Sequence, residues 1–342
     1  MVAVVEKSAE AADVVGNRKK RTVMTKSVRN ILLGSVFAAV SALAGNPAPT
    51  SAAEPSDATV ISGFASQSDP PVFQTPEQAV DAFRAALAAD DFDKFAMLLG
   101  IDAAKAKAGE GVMETYAQIR EGARKKTVLK DVDGRKIIEV GDKLWPLPFP
   151  IVKGDDGKWS FDTYAGFEEI INRRVGENEL QTIVTMRAYV GAQEEYSSAD
   201  RDGDGVLEYA QKLISSDGRT DGLYWSPDLG EGDSPAGNAL EDNAALDKAK
   251  AGEGYYGYRY RIIDSQGPNI AGGKFDYIIN GNMIAGFALI AWPIRYGETG
   301  VHTFLVNANG TVYQADLGRQ TEKTAAGIKT FNPDDNWEVT AD

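Results

Sequence analysis

Apolar positions recur at a helical spacing from Thr75 to about Arg124 and again from Glu168 to about Ala199. Between and beyond these stretches they alternate as in strands. Thr75-Pro76-Glu77-Gln78 puts a hydroxyl at the N-cap, Pro at the first helical position and Gln where it closes a capping box. Val80, Phe83 and Leu87 follow on one face. Asp90-Asp91 breaks the run before a second helical piece, Phe92 to Leu99, and a third covers Val112 to Arg124. The period then drops to two. Thr127 to Val132 and Lys136 to Val140 flank the turn pair Asp133-Gly134, and Ile151 to Lys153 and Lys158 to Asp162 bracket Gly154-Asp155-Asp156-Gly157. Leu144-Trp145-Pro146-Leu147-Pro148-Phe149-Pro150, between these hairpins, reads as an extended edge, because its prolines lack ladder donors.

Glu168 to Arg174 reads as a short helix interrupted at Gly176. Asn178 then caps a long helix running to about Ala199. Leu180, Ile183 and Val184 form one apolar stripe and Met186, Tyr189, Val190 and Tyr196 an adjoining one, so wide a surface that the helix should pack into a core. Ser216 to Asn238, rich in Gly, Asp and Pro, reads as a surface excursion. In Tyr255 to Asp264, Tyr256, Tyr258, Tyr260 and Ile262 share one face, while Arg259 and Arg261 share the other. Lys274 to Ile279 and Met283 to Trp292 flank Asn280-Gly281; Val301 to Ala308 and Thr311 to Asp316 flank Asn309-Gly310. The pattern predicts an α+β protein. Helices with a curled antiparallel sheet occupy 74–165, and a long helix packed on an antiparallel meander occupies 166–342.

The N-terminus changes the picture of where this protein works. Lys26 and Arg29 precede the apolar run Ile31 to Ala44, and Ser51-Ala52-Ala53 offers small residues for cleavage. Residues 1–53 therefore read as a signal peptide, with Met24 an alternative start, and 54–73 as a flexible Pro/Ser/Ala-rich lead-in. The apolar run is short for a membrane span, so no stable span is expected after cleavage. The expected location is periplasmic or secreted. The sequence has no cysteine, which excludes disulfides, thiol catalysis and a lipid-modified cysteine. Of the 36 basic and 50 acidic side chains, 7 and 3 lie in residues 1–53, which leaves 29 − 47 = −18 for the remainder. Such a surface repels polyanions and argues against nucleic acid as a partner; an envelope protein or a glycan is expected instead.

The densest set of ligand-type residues is Asp200-Arg201-Asp202-Gly203-Asp204-Gly205-Val206-Leu207-Glu208. Alternating carboxylates let a loop aim an oxygen inward from every second residue. Gly205, sixth in the run, permits the turn that brings the Val206 carbonyl round, and Glu208 stands at the ninth place. Gln211 occupies the twelfth place, where an EF-hand carries a bidentate Glu. Asp200, Asp202, Asp204, Val206 and Glu208 are thus the expected metal ligands. Oxygen donors without cysteine point to a structural Ca2+. The competing reading is a helix end followed by ordinary Asp/Gly turns.

Other candidates are weaker. Glu194 and Glu195 with Asp200 are the candidate carboxylates for a hydrolase of envelope polymers, since helix-end acids beside a loop can form a cleft, and a solvated acidic face is the plainer reading. His302, the only histidine, alternates on a strand with no second catalytic group near it in sequence, and reads as a sheet residue. Arg173-Arg174 reads as a pair serving a helix end, or as an anion site. Trp145 and Trp159 read as core aromatics or pocket walls, and the tyrosine row as cross-strand packing or a stacking surface.

Three resemblances add to this. The Pro-Glu-x-Ala-Val-x-x-Phe opening, the helix after Asp90-Asp91 and the Asp156-Gly157-Lys158-Trp159 hairpin resemble the cone-shaped nuclear-transport-factor-like domains over 74–164. That likeness implies a fold and brings no catalyst. Arg187-Ala188-Tyr189 through Gln193-Glu194-Glu195-Tyr196, Gly257-Tyr258-Arg259-Tyr260 and Gly300-Val301-His302-Thr303-Phe304 with Asn309-Gly310 resemble type IV pilin and pseudopilin globular domains over 168–318. Calcium-binding members of that class lend the acidic loop support. The chain departs from pilins in that its apolar run lies far upstream and lacks a prepilin cleavage site, which argues against pilin-type filament assembly and leaves a pilin-like assembly subunit as the third reading, after the envelope protein and the hydrolase. Over 64–339, Trp145-Pro146-Leu147-Pro148-Phe149-Pro150, Asn172-Arg173-Arg174, Asp200 through Ala210 and Asp221-Gly222-Leu223-Tyr224-Trp225 resemble an exported bacterial family classed as a domain of unknown function. That likeness implies no activity.

Overall fold

The computed structural model describes residues 63–237 and 243–341. The signal segment, residues 54–62 of the lead-in and Asn238 lie outside them. The first helix, α1 (Pro76–Ala88), starts as its sequence dictates: the Thr75 hydroxyl accepts the Gln78 amide, and the Gln78 side chain reaches back to the amide of Gln74. The second, α2 (Phe92–Leu98), is capped by Asp91. A short helix the sequence pattern does not predict, α3 (Ala103–Ala108), is capped by Asp102 and precedes α4 (Val112–Lys125). These helices pack on β1 (Thr127–Val132), β2 (Arg135–Val140), β3 (Trp145–Pro146), β4 (Ile151–Lys153) and β5 (Trp159–Phe161).

The first sheet is antiparallel, ordered β1-β2-β4-β5, with β3 a two-residue edge on β2. Thr127 pairs with Val140 and Val132 with Arg135, so the turn falls on Asp133-Gly134, both at positive φ. Phe83, Ile138, Ile151 and Phe161 are fully buried in the core this sheet shares with α1, α2 and α4. The described end of the lead-in is tied to this unit. Phe73 and Trp159 exchange amide–carbonyl bonds at 2.7 and 2.8 Å, and the Phe64 carbonyl accepts the Asp102 amide.

The predicted break at Gly176 does not occur. One helix, α5 (Thr163–Tyr196), runs 34 residues from an Asp162 cap, and Asn178 lies inside it. The apolar stripe also divides differently from expectation. Ile183 packs on the C-terminal core, but Leu180 and Val184 are more than half exposed. The N-terminal part of α5 gives Phe167 to the first core, and its C-terminal part gives Met186, Tyr189 and Tyr196 to the second.

The second core rests on an antiparallel sheet ordered β14-β13-β12-β11-β6, built from β6 (Tyr258–Ile263), β11 (Ala288–Pro293), β12 (His302–Asn307), β13 (Tyr313–Asp316) and β14 (Glu338–Val339). Two-stranded ribbons flank it: β7 (Ser265–Gln266) with β8 (Phe275–Asp276), and β9 (Ile278–Ile279) with β10 (Asn282–Met283). The expected hairpin across Asn280-Gly281 is there, with both residues at positive φ, but its arms are two residues long instead of the extended strands expected. Helix α6 (Asn243–Lys250) lies between the excursion and β6, and α7 (Thr321–Gly327) packs on β11. Tyr256 leaves the tyrosine row, because its φ of 51° places it in the turn before β6. The excursion after residue 216 is only partly on the surface: Leu223, Trp225 and Ala236 are buried in the second core.

Candidate metal centre and the helix–sheet junction

The acidic loop begins four residues after α5 ends. Gly203 and Gly205 take φ of 78° and 87°, a left-handed backbone that favours glycine, and these two turns fold the chain back over its own carboxylates. Asp200 accepts the amides of Gly203 at 2.8 Å and Gly205 at 2.9 Å. Asp204 accepts the Val206 amide at 2.8 Å. The two glycine amides, Gly205 first, hold the Asp200 carboxyl below the ordinary carboxylate range. One oxygen from each of Asp200, Asp202 and Asp204 lies within 4.8 Å of the others, and all three residues are exposed.

The loop is fastened to the rest of the molecule at its far side. Asp204 Oδ2 accepts from the Asn282 side chain at 2.6 Å. Glu208 Oε2 accepts the Met283 amide at 3.1 Å, and the Tyr209 amide donates to the Met283 carbonyl at 2.8 Å. Gln211 donates to the Gly281 carbonyl at 2.7 Å. Glu208 and Gln211 therefore grip the β9–β10 hairpin. Asp200, Asp202 and Asp204 come together; Glu208 does not belong to that cluster, and Val206 is placed by its amide bond to Asp204. Asn282, 78 residues from Asp204, carries no sequence signal that links it to the loop.

Arg201, between the first two aspartates, covers the rings of Tyr196 and Trp225 at 5.2 and 5.3 Å and donates to the Tyr196 carbonyl. Asp221, in the same excursion as Trp225, accepts from Lys212 at 2.6 Å and from the Ser216 amide at 2.7 Å. Its carboxyl falls to about 2, first through the Lys212 hydrogen bond and then through Ser216.

The middle of α5 is gripped from both sides. Arg173 donates to the Pro146 carbonyl at 2.8 Å and lies over the Trp145 ring at 5.3 Å, while Arg174 donates to the Glu298 carbonyl at 3.1 Å. The arginine pair thus braces two units instead of serving a helix end. Trp145 and Trp159 pack against the first core. Asn178 donates to the Thr299 carbonyl at 2.9 Å. Glu179 accepts the amides of Val301 at 2.8 Å and His302 at 2.9 Å, and both its oxygens lie 3.1–3.2 Å from His302 Nδ1. The lone histidine therefore has an acidic partner, 123 residues away in the chain and hence invisible to sequence spacing. The Tyr258 hydroxyl donates to the His302 carbonyl at 2.9 Å. Burial, with Glu179 second, pushes that hydroxyl far above its ordinary range, so it stays a donor. Glu194 and Glu195 stand exposed on α5.

These features define an α+β protein in which two antiparallel sheets share one helix and an acidic loop hangs from its end. Residues 71–340 match the family described as "Protein of unknown function (DUF2950)", and the chain belongs to that family. No curated protein and no solved structure matches it. Among the described residues no helix is long and apolar enough to cross a membrane.

Proposed function

We propose that the protein is a non-catalytic component of the bacterial cell envelope, exported by its N-terminal signal, with a structural Ca2+ held in the acidic loop. The observation that carries the metal is the gathering of Asp200, Asp202 and Asp204 within 4.8 Å on a loop with two left-handed glycine turns. Calcium binds oxygens at roughly 2.4 Å, so ligands on opposite sides of one ion stand about 4.8 Å apart. Carboxylates no farther apart than that repel by about 1 kcal/mol or more even in water, and a divalent ion between them turns the repulsion into attraction. Asp200, Asp202, Asp204, the Val206 carbonyl and the free oxygen of Glu208 would form the shell, completed by water. Because Asp204 and Glu208 already hold Asn282 and Met283, the ion would lock the end of α5 to the second unit.

Helices packed on a short antiparallel sheet support the cone-like reading of 74–165, and a long helix lying against an antiparallel sheet supports the pilin-like reading of 166–342. The acidic surface and the exposed setting of Glu194 and Glu195 support a role in holding an envelope protein or glycan over a hydrolase cleft.

Metal analysis of protein purified without chelator is expected to give one calcium per chain. Calcium at a hundred times its Kd is expected to stabilise the fold by about 2.7 kcal/mol, and Asp202→Ala to abolish the gain. Superimposable melting curves in calcium and in chelator would overturn the metal site.

A further inference from the structure

A cavity of about 480 Å³ lies among α5, β6 and α6, walled chiefly by Tyr189, Tyr258, Tyr260, Leu223, Leu289 and Ala249. Close-packed interiors hold few voids larger than a water molecule, whereas ligand pockets run to roughly 300–1,000 Å³. Its polar wall groups are already engaged elsewhere. The Tyr189 hydroxyl donates to the Ala288 carbonyl and accepts from Gln193, and Tyr260 donates to Thr182. The Tyr258 hydroxyl is spent on the His302 carbonyl, and Thr185 on the Gln181 carbonyl. Trp292 and Arg259 donate to Glu322, and Arg261 to the carbonyls of Ala325 and Ile328. Burial raises the Tyr189 and Tyr260 hydroxyls well above their ordinary range, so neither offers a charge.

The walls thus present ring faces and aliphatic carbon. The pocket opens to solvent on one side, but water that enters finds few polar partners on its walls, so an apolar molecule displaces it at little cost. A cation would lose its hydration without finding a partner, and the two arginines at the wall are already committed, Arg259 to Glu322 and Arg261 to backbone carbonyls. Aromatic walls favour flat rings, which meet them offset or edge-on. We propose that this cavity is a binding site for an uncharged aromatic small molecule, recognised by shape and ring contacts and independent of the acidic loop.

Titration with N-phenyl-1-naphthylamine, an uncharged two-ring fluorophore, tests this on the full chain. The expected result is saturable brightening at one site per chain, displaced by naphthalene and not by dodecanoate. Ala249→Phe, which fills the cavity, is expected to weaken binding by roughly tenfold or more, about 1.4 kcal/mol. Leu180→Ser with Val184→Ser, which removes the exposed apolar pair on α5, is expected to leave the titration unchanged. Absence of saturable binding, binding undiminished in Ala249→Phe, loss in the serine pair, or preferential displacement by dodecanoate would each overturn the assignment. Should Ala249→Phe fail to fold, a wild-type crystal under xenon decides: xenon density in the cavity supports the site, and ordered water filling it overturns it.

Discussion

Two glycines ten residues apart in the long helix have opposite reasons to be there. A Cβ on Gly166 would overlap the Phe149 ring, which packs there edge-on to Phe167 at 5.9 Å. A Cβ on Gly176 would meet nothing within 4 Å. Gly166→Ala is therefore expected to lower the unfolding free energy by about 1–3 kcal/mol through overpacking. Gly176→Ala is expected to raise it by about 0.5–1 kcal/mol through helix propensity. Urea denaturation of the two variants reads both signs. Asp221 gives a further test. Its folded carboxyl titrates near 2, against an ordinary value of 3.8. Between about pH 4 and pH 2 the unfolded chain therefore binds the extra proton, and the stabilisation present above that window is lost as pH falls through it. Acid denaturation of Asp221→Asn is expected to be shallower in that window than that of the wild type. The sequence could suggest a break at Gly176 because glycine is a poor helix former. It could not show that Arg173, Arg174, Asn178 and Glu179 hold the chain helical through it from partners as far as 124 residues away.

Among elements, those governed by local chemistry were legible. The Thr75 cap and the turns at Asp133-Gly134 and Asn280-Gly281 are set by residues that touch one another along the chain. The gathering of the three aspartates was legible for the same reason, since alternation in a glycine-punctuated loop brings them together, although the bond from Asn282 to Asp204 comes from outside it. The bond that ties Glu208 to the Met283 amide, 75 residues on, was not legible, because nothing local in the sequence links the two. Leu180 and Val184 show the limit of periodicity: it identifies a stripe but not which part of it meets a neighbour. One side chain fastens α5 to the start of β12. Glu179 accepts two backbone amides and the His302 ring, so Glu179→Ala leaves those donors unpaired where the helix meets the sheet. The expected cost is about 1–3 kcal/mol, read by thermal denaturation, with Glu179→Gln restoring part of it because the amide oxygen still accepts.

At the scale of the whole molecule, two hydrophobic cores hang on a single helix. The first core holds α5 through Phe167 and the second through Met186, Tyr189 and Tyr196, with Gly176 on the span between. Proline there would remove one ladder bond and clash with the carbonyl of Asn172, at a cost of about 3 kcal/mol. Gly176→Pro is expected to split one calorimetric transition into two, whereas a wild-type scan already showing two would mean that the cores melt separately. The intact helix, about 50 Å long, is held from both sides a third of the way along by Arg173 and Arg174. That denies the molecule a hinge: in solution both sheets should tumble as one rigid body, with a single rotational correlation time for their amides.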